Sequence, residues 1–154
     1  MDPAGALCAL DPRVSVEILL LSPGEEAVLA HVAPAVFDNE IDPALVRDFL
    51  ADPHHHIAVA IDNGVVVAFA SGVDYIHPDK PRELFVNEVG TAPTHRGQGL
   101  AKGVLRALLG RGRAVGCKLA WVLTDTDNAP ARALYAALDG KELTHDTVHI
   151  EFDL

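Results

Sequence analysis

Apolar and polar positions change period several times along the chain, and each change marks a new element. Val14 to Leu21 reads as a first strand. Ser22-Pro23-Gly24-Glu25 then carries the pattern of a capping box with proline at the first helical position, predicting a helix that runs to about Phe37. Asp42-Pro43 repeats the start signal, so a short helix is expected over Pro43 to Leu50, with Asp38 to Asp42 as an acidic connector. Ile57 to Ile61 and Val65 to Ile76 flank Asp62-Asn63-Gly64, a strong hairpin turn. His77 to Arg82 reads as a surface loop, and Glu83 to Thr91 as a strand whose near-continuous apolar character predicts burial on both faces. A helical pattern covers Lys102 to Arg113, Lys118 to Thr124 is a further strand, and Asn128 to Leu138 a further helix. Lys141 to Thr144 and Thr147 to Phe152 can pair as a terminal hairpin. There Val148, Ile150 and Phe152 form an apolar face for the core, and His149, Glu151 and Asp153 a polar one. Met1 to Arg13, with small residues and prolines, is expected to be a loose lead-in, leaving residues 14–154 as one α/β domain.

Composition narrows the partners. A chain of 154 residues with 49% hydrophobic content can bury one sizeable core. The formal charge of −10 argues against nucleic acid, whose phosphates would be repelled, and favours a cationic substrate. Cys8 and Cys117 lie far apart without metal or redox spacing, so a reducing compartment is expected and both read as spectators. No apolar run approaches a membrane span and the N-terminus lacks the regions of a signal peptide, which predicts a cytoplasmic protein. His54-His55-His56 suggests metal, but adjacent histidines on an extended turn point in different directions and no carboxylate follows at ligand spacing; no metal is expected.

The candidate chemistry centres on Arg96-Gly97-Gln98-Gly99-Leu100-Ala101, between an apolar strand and the start of a helix. Such an order leaves backbone N–H groups without intrahelical partners at the positive end of a helix dipole, where an anion fits. Glycine lets a pyrophosphate approach the backbone, and arginine adds a fixed charge. A P-loop would need Gly-Lys-Ser/Thr, and a dinucleotide fingerprint would need Gly-x-Gly-x-x-Gly at the first strand–helix junction; neither is present. The pattern Arg-x-x-Gly-x-Ala resembles the acetyl-CoA-binding motif of the GCN5-related N-acetyltransferases. Lys118 to Thr124 followed by Asn128-Ala129-Pro130-Ala131-Arg132-Ala133-Leu134-Tyr135 resembles that family's next block, and the resemblance spans roughly residues 14 to 154. One departure is Leu138-Asp139-Gly140, where the family usually has Leu-Gly-Phe. Pro78 to Val89, the His95 to Gly99 turn and the ending Val148 to Asp153 look like the aminoglycoside 3-N-acetyltransferases in particular.

The resemblance implies a GNAT fold: α/β (α+β), with a mixed, mostly antiparallel central sheet splayed at the acetyl-CoA site and flanked by helices. It implies acetyl-CoA as cosubstrate, direct acetyl transfer to a polycationic small-molecule amine, antibiotic resistance as the outcome, and a possible homodimer. The amides of Gly97, Gln98, Gly99, Leu100 and Ala101 would hold the pyrophosphate beside Arg96, and the pantetheine arm would pair with Val89. Asn128 would bind the pantetheine amides; alternatively it is an ordinary helix cap. Tyr135 falls on the family's position for the general acid that protonates the leaving thiolate, or it is an aromatic covering a helix–sheet contact. Glu88, a carboxylate in an apolar strand, is the candidate general base, with burial expected to raise its pKa; the alternative is a charge paired with Arg82 or Arg96. The Val89 amide is the natural oxyanion donor. Asp38, Glu40, Asp42, Asp125, Glu151 and Asp153 could line a cleft for several ammonium groups, or form a solvated acidic surface. His31 on the first helix faces the acceptor cleft or has no role. A polyamine or peptide acceptor and a non-catalytic acetyl-CoA-binding module are the other readings open to this sequence.

Overall fold

Asn63 and Gly64 both take positive φ, 50° and 77°, the left-handed pair that a tight hairpin between right-twisted strands requires. The computed structural model describes residues 16–143 and 146–154, and this hairpin is its centre. Strand β1 spans Glu17–Leu20, a short 3₁₀ turn Glu26–Ala30 and helix α1 Pro43–Ala51. Strands β2 (His55–Asp62), β3 (Val65–His77) and β4 (Lys80–Thr91) follow, then helix α2 (Leu100–Ala114), strand β5 (Leu119–Trp121) and helix α3 (Ala129–Ala137). The sheet order is β1-β2-β3-β4-β5, antiparallel throughout except for the parallel β4–β5 pair. The described residues fall into two compact units, one ending at Val122 and the other beginning at Leu123.

Side-chain size differs between the two faces of this sheet. The register pairs Ala58 with Ala70 and Ala60 with Ala68 on one face, and Gly72 extends that row. Small residues there let α2 lie close, with Val104, Leu105 and Leu108 buried against the sheet. A Cβ on Gly103 would come within 2.4 Å of Ile18, and one on Gly112 within 2.8 Å of Leu84. The opposite face carries Ile57, Val59, Phe69 and Val73. Phe37 stacks on Phe69 with ring centroids 3.9 Å apart, and Phe49 of α1 packs against His55 at 5.0 Å. Asp42 starts α1 as the sequence predicts, its carboxylate accepting from Ala44 N–H at 2.8 Å.

Four expectations are corrected. The capping box forms only in part: Ser22 N–H donates to Glu25 Oε2 at 2.7 Å, but Gly24 takes φ 96° and the helix shrinks to the Glu26–Ala30 turn. Beyond it the backbone is claimed by β3, with Val66 N–H donating to His31 C=O and Ala33 N–H to Val66 C=O, so His31 lies on no helix. His77 to Arg82 is no loop, because β3 and β4 continue through it to a turn at Pro78-Asp79. β4 is not buried on both faces: Leu84 and Val86 are, while Asn87 and Glu88 are exposed. Among the described residues the terminal hairpin does not form. Residues 141–143 and 146–154 carry no strand, and Val148, Ile150 and Phe152 are exposed; Thr144 and His145 lie outside the described residues, as do Val14 and Ser15 of the expected first strand and the lead-in to Arg13. Alternation gave that segment a strand's pattern, but a two-stranded ribbon alone is marginal. Its first arm is also held to α3, Arg132 Nε and Nη2 donating to Glu142 at 2.7 and 2.9 Å.

Candidate active site

The sheet forks between β4 and β5. Their pairing runs through Glu83–Leu119, Leu84–Ala120 and Phe85–Trp121 and ends there, so among the described residues no strand covers β4 from Val86 to Thr91 on that side. Ala92 N–H donates to Val67 C=O at 2.8 Å, continuing the register that pairs Gly90 with Phe69. Strand alternation then turns the N–H and C=O of Val89 and Thr91 away from β3, toward the open edge. These are groups that an extended amide-bearing ligand can pair with as if it were a strand.

The open edge leads into the glycine turn. Gly97 and Gly99 take φ of 74° and 76°, and Gly99 is the residue preceding α2. The first backbone bond into α2 runs from Gly103 N–H to Gly99 C=O at 3.0 Å, so Leu100, Ala101 and Lys102 present N–H groups ahead of it, and no side chain caps the end. Cβ atoms built on Gly97 and Gly99 would meet nothing within 4 Å, so the turn is open at both glycines. Arg96 and Gln98 are exposed beside it, Leu100 is buried as an anchor, and Ala101 is half-buried. Just upstream, His95 Nε2 hydrogen-bonds Asp62 at 2.7 Å, tying the turn to the β2–β3 hairpin. The donor set therefore fits a pyrophosphate.

Glu88 owes its direction to a bulge. Gly72 pairs with Val86 and Ser71 with Glu88, so Asn87 is an extra residue in β4. Without it Glu88 would share a face with Val86, against α2; with it, Glu88 turns to the face opposite α2, beside buried Ser71. Its carboxylate is exposed and neither Arg82 nor Arg96 pairs with it, so the expectation of a buried carboxylate in a dry strand fails. Gly90 stands on the same face, where a Cβ would lie 2.4 Å from Val36 C=O and 2.7 Å from Phe69. The segment just before the acidic connector, Val36 and Phe37, thus lies on the sheet two residues from Glu88.

The bulge also aligns Glu88 with a cluster that the sequence reading missed. Tyr75, Glu83, Phe85 and Trp121 occupy this same face by register. Tyr75 O–H donates to Glu83 Oε2 at 2.8 Å, and Trp121 Nε1–H donates to the Tyr75 hydroxyl at 2.6 Å. The rings of Phe85 and Trp121 lie 4.4 Å apart, at the last paired position before the fork. Burial, then the bond to Glu83, push the Tyr75 phenol up, which keeps it a donor. Non-local convergence of this kind leaves no short motif; only the Phe85-x-x-Glu88 spacing touches it.

The other expected site residues have their own local surroundings. Asp38 and Glu40 are exposed in the connector, and Asp42 spends one oxygen on the α1 cap. Asp125 is exposed in the second unit, as are Glu151 and Asp153, which lie on no strand, so the polar strand face expected of them is absent. In that unit Asn128 caps α3, its Oδ1 accepting from Ala131 N–H at 3.2 Å, with the amide NH₂ left over. Tyr135 sits half-buried on α3, and burial pushes its phenol up. His54 and His56 do converge on a carboxylate, Asp74, from 3.0 and 2.6 Å, but Arg82 binds the same carboxylate. That guanidinium takes the place a cation would need, and among the described residues no group of histidine, cysteine and carboxylate is arranged for a metal.

The model of the acetyltransferase (GNAT) family matches residues 26–139, so the chain belongs to that family. An L-2,4-diaminobutyric acid acetyltransferase of Virgibacillus pantothenticus is 35% identical over 83 residues, 54% of this chain and 51% of that protein. One from Streptomyces anulatus is 44% identical over 66 residues, 42% of this chain and 34% of that protein. The chain thus spans about half or less of the length of the curated relatives it matches. Among solved structures, an aminoglycoside acetyltransferase from an uncultured soil metagenomic sample superposes with a TM-score of 0.74 at 24% identity, covering 91% of this chain and 99% of that one. The fold is therefore the mixed α/β GNAT fold, with an open, mostly antiparallel sheet.

Proposed function

We propose that this member of the acetyltransferase (GNAT) family moves the acetyl group of acetyl-CoA directly to an amine of a polycationic small molecule, an aminoglycoside acetylated at its 3-amino group being the first candidate. The observation that carries the reading is the fork, which leaves the main chain of β4 open from Val86 and runs it into the uncapped start of α2. The amides ahead of Gly103 and the Arg96 guanidinium bind the pyrophosphate, and the open Val89 amide lies where the arm of the cosubstrate enters. Glu88 takes a proton from the acceptor's ammonium so that the free amine attacks the thioester carbonyl, the Val89 N–H stabilises charge on the carbonyl oxygen, and Tyr135 protonates the leaving thiolate. Asn128 holds an amide of the arm with the NH₂ that its cap leaves free. Asp38, Glu40 and Asp42 draw the polycation toward Glu88, and Asp125, Glu151 and Asp153 are the acceptor-attracting carboxylates of the second unit. In this reading residues 14–154 form one domain that works in the cytoplasm, uses no metal, confers resistance and can form a homodimer.

A second reading is favoured by the relatives: two proteins named L-2,4-diaminobutyric acid acetyltransferase share at least 35% identity with part of the chain. The acceptor is then a short diamino acid. Thiol release from acetyl-CoA across aminoglycosides, polyamines, diaminobutyrate and a lysine peptide separates the two. A clear preference for an aminoglycoside supports the first reading; equal kcat/KM for peptide and aminoglycoside overturns it. Gly99→Asp tests the cradle: a carboxylate in the pyrophosphate's place should weaken acetyl-CoA binding by several kcal/mol, roughly a hundredfold or more by calorimetry, with the fold kept.

A further inference from the structure

We infer that Glu83, held by Tyr75 and walled by Phe85 and Trp121, receives a second ammonium group of the acceptor, so that the site selects amines whose charges lie far apart. The inference rests on Glu88 meeting the reacting amine, as proposed above, and goes on to the part of the substrate that does not react.

Three observations meet here. The first is the shared face: Glu83 pairs with Tyr75, Phe85 with Val73, and Glu88 with Ser71, so both carboxylates stand on the side of the sheet away from α2. The Asn87 bulge is what makes this so. The second is reach. Ser71 and Tyr75 are four residues apart on β3, and at about 3.4 Å per residue the backbone positions of Glu88 and Glu83 are separated by roughly 13–14 Å. The third is chemistry. Glu83 Oε2 is fixed by the Tyr75 hydroxyl, which itself accepts from Trp121, leaving Oε1 and the faces of two aromatic rings at a partly open position. A carboxylate beside π faces is the set that binds an ammonium group through charge-assisted hydrogen bonding and cation–π attraction. Trp121 is 37% exposed, so a ligand can reach this cluster.

The spacing discriminates among acceptors. Diaminobutyrate holds its two amines on neighbouring parts of a four-carbon chain and is far shorter than that backbone separation, so it matches the pair of carboxylates poorly. Spermidine, spermine and multi-ring aminoglycosides present ammonium groups separated widely enough to do so. Glu83 is thus a specificity residue that binds substrate without entering the chemical step.

The test measures kcat and KM for propylamine, 2,4-diaminobutyrate, spermidine, spermine and gentamicin, with the wild type, Glu83→Gln and Trp121→Leu. Glu83→Gln keeps an oxygen for Tyr75 while removing the charge. It should raise KM for spermine and gentamicin roughly tenfold to a hundredfold, the scale of a lost charge-assisted hydrogen bond, and move KM for propylamine and diaminobutyrate far less. Trp121→Leu should follow the same order with a smaller effect. A uniform change across all five amines, or an unchanged KM for spermine and gentamicin, overturns the inference. Should no amine be turned over, the acetyltransferase reading fails; calorimetry of spermine with wild type and Glu83→Gln then decides this site alone, and equal affinities overturn it.

Discussion

Asp74 and Glu88 are carboxylates on the two faces of one sheet, and their surroundings are opposite. Asp74 faces α2, is 3% exposed, and binds His54, His56 and Arg82, while Arg111 of α2 reaches on to His56 Nδ1 at 3.4 Å. Glu88 is exposed, stands at the fork, and has no ion-pair partner among the described residues. A carboxylate whose bonds are all made inside the protein can only stabilise it, whereas one left open beside an unpaired strand edge can act on something else. One face is thus occupied with structure and the other is free for the proposed chemistry, and each half of that division can be broken separately.

The largest effect is expected at Asp74. Asp74→Asn should cost about 3 kcal/mol of folding stability, the lower end for breaking a buried charged network, with little change in kcat for the protein that remains folded. Burial alone would raise the Asp74 pKa, but its bonds to His56, His54 and Arg82 outweigh that and hold it below the ordinary 3.8. A carboxyl depressed in the folded state contributes stability above its unfolded pKa and loses it as pH falls through the folded value. Urea unfolding should thus show the gap between wild type and variant full at neutral pH and shrinking below about pH 4. A constant gap down to strong acid would show that the charge is not what stabilises.

Glu88→Gln should do the reverse. Loss of a general base lowers kcat by roughly a hundredfold, while an exposed, unpaired side chain changes stability by no more than about 0.5 kcal/mol. Acetyl-CoA affinity should hold. Full activity at every pH would move the base elsewhere, to a carboxylate of the connector or to His31.

How far the sequence anticipated this division depends on the range of each interaction. The Asn63-Gly64 hairpin, the Asp42 cap and the glycines at 97 and 99 were legible because each is a local backbone requirement satisfied by a particular residue type. Glu88 was legible as an odd charge in an apolar run, but for the wrong reason: buried on neither side, it is turned outward by Asn87, and a single inserted residue does not disturb a near-continuous apolar pattern. The helix expected to Phe37 failed where tertiary pairing with β3 overrode a local start signal. Tyr75, Glu83 and Trp121 were invisible because three strands bring them together. The terminal alternation was real, yet a pattern supplies no neighbour to pair with.

Gly90→Ala probes the boundary between the faces. The added methyl would press on Val36 C=O at 2.4 Å and Phe69 at 2.7 Å, and backbone cannot yield as a side-chain tip does. Overpacking of this kind costs about 1–3 kcal/mol. Because Val36 leads into the acidic connector two residues further on, a shift here should move the connector and raise KM for the acceptor as well, which a thermal melt paired with steady-state kinetics would register. Loss of stability with KM unmoved would detach the connector from the acceptor site.

Tyr135→Phe carries the smallest expected effect. Burial pushes the Tyr135 phenol above its ordinary 10.0, so it remains protonated at neutral pH and can give a proton to a departing thiolate. A thiolate is already a fair leaving group, so its protonation contributes less than activation of the amine; a loss in kcat of roughly tenfold is expected, at the weak end of general acid catalysis. KM for acetyl-CoA and the melting temperature should stay close to wild type, since phenylalanine preserves the ring. The raised pKa sets a further condition: in the wild type, activity should not fall through this group until pH exceeds about 10, and the variant should lack that alkaline fall. If Tyr135→Phe keeps full kcat while Tyr135→Ala lowers stability, the residue is the packing aromatic that its half-buried position on α3 also permits, and the thiolate leaves without its help.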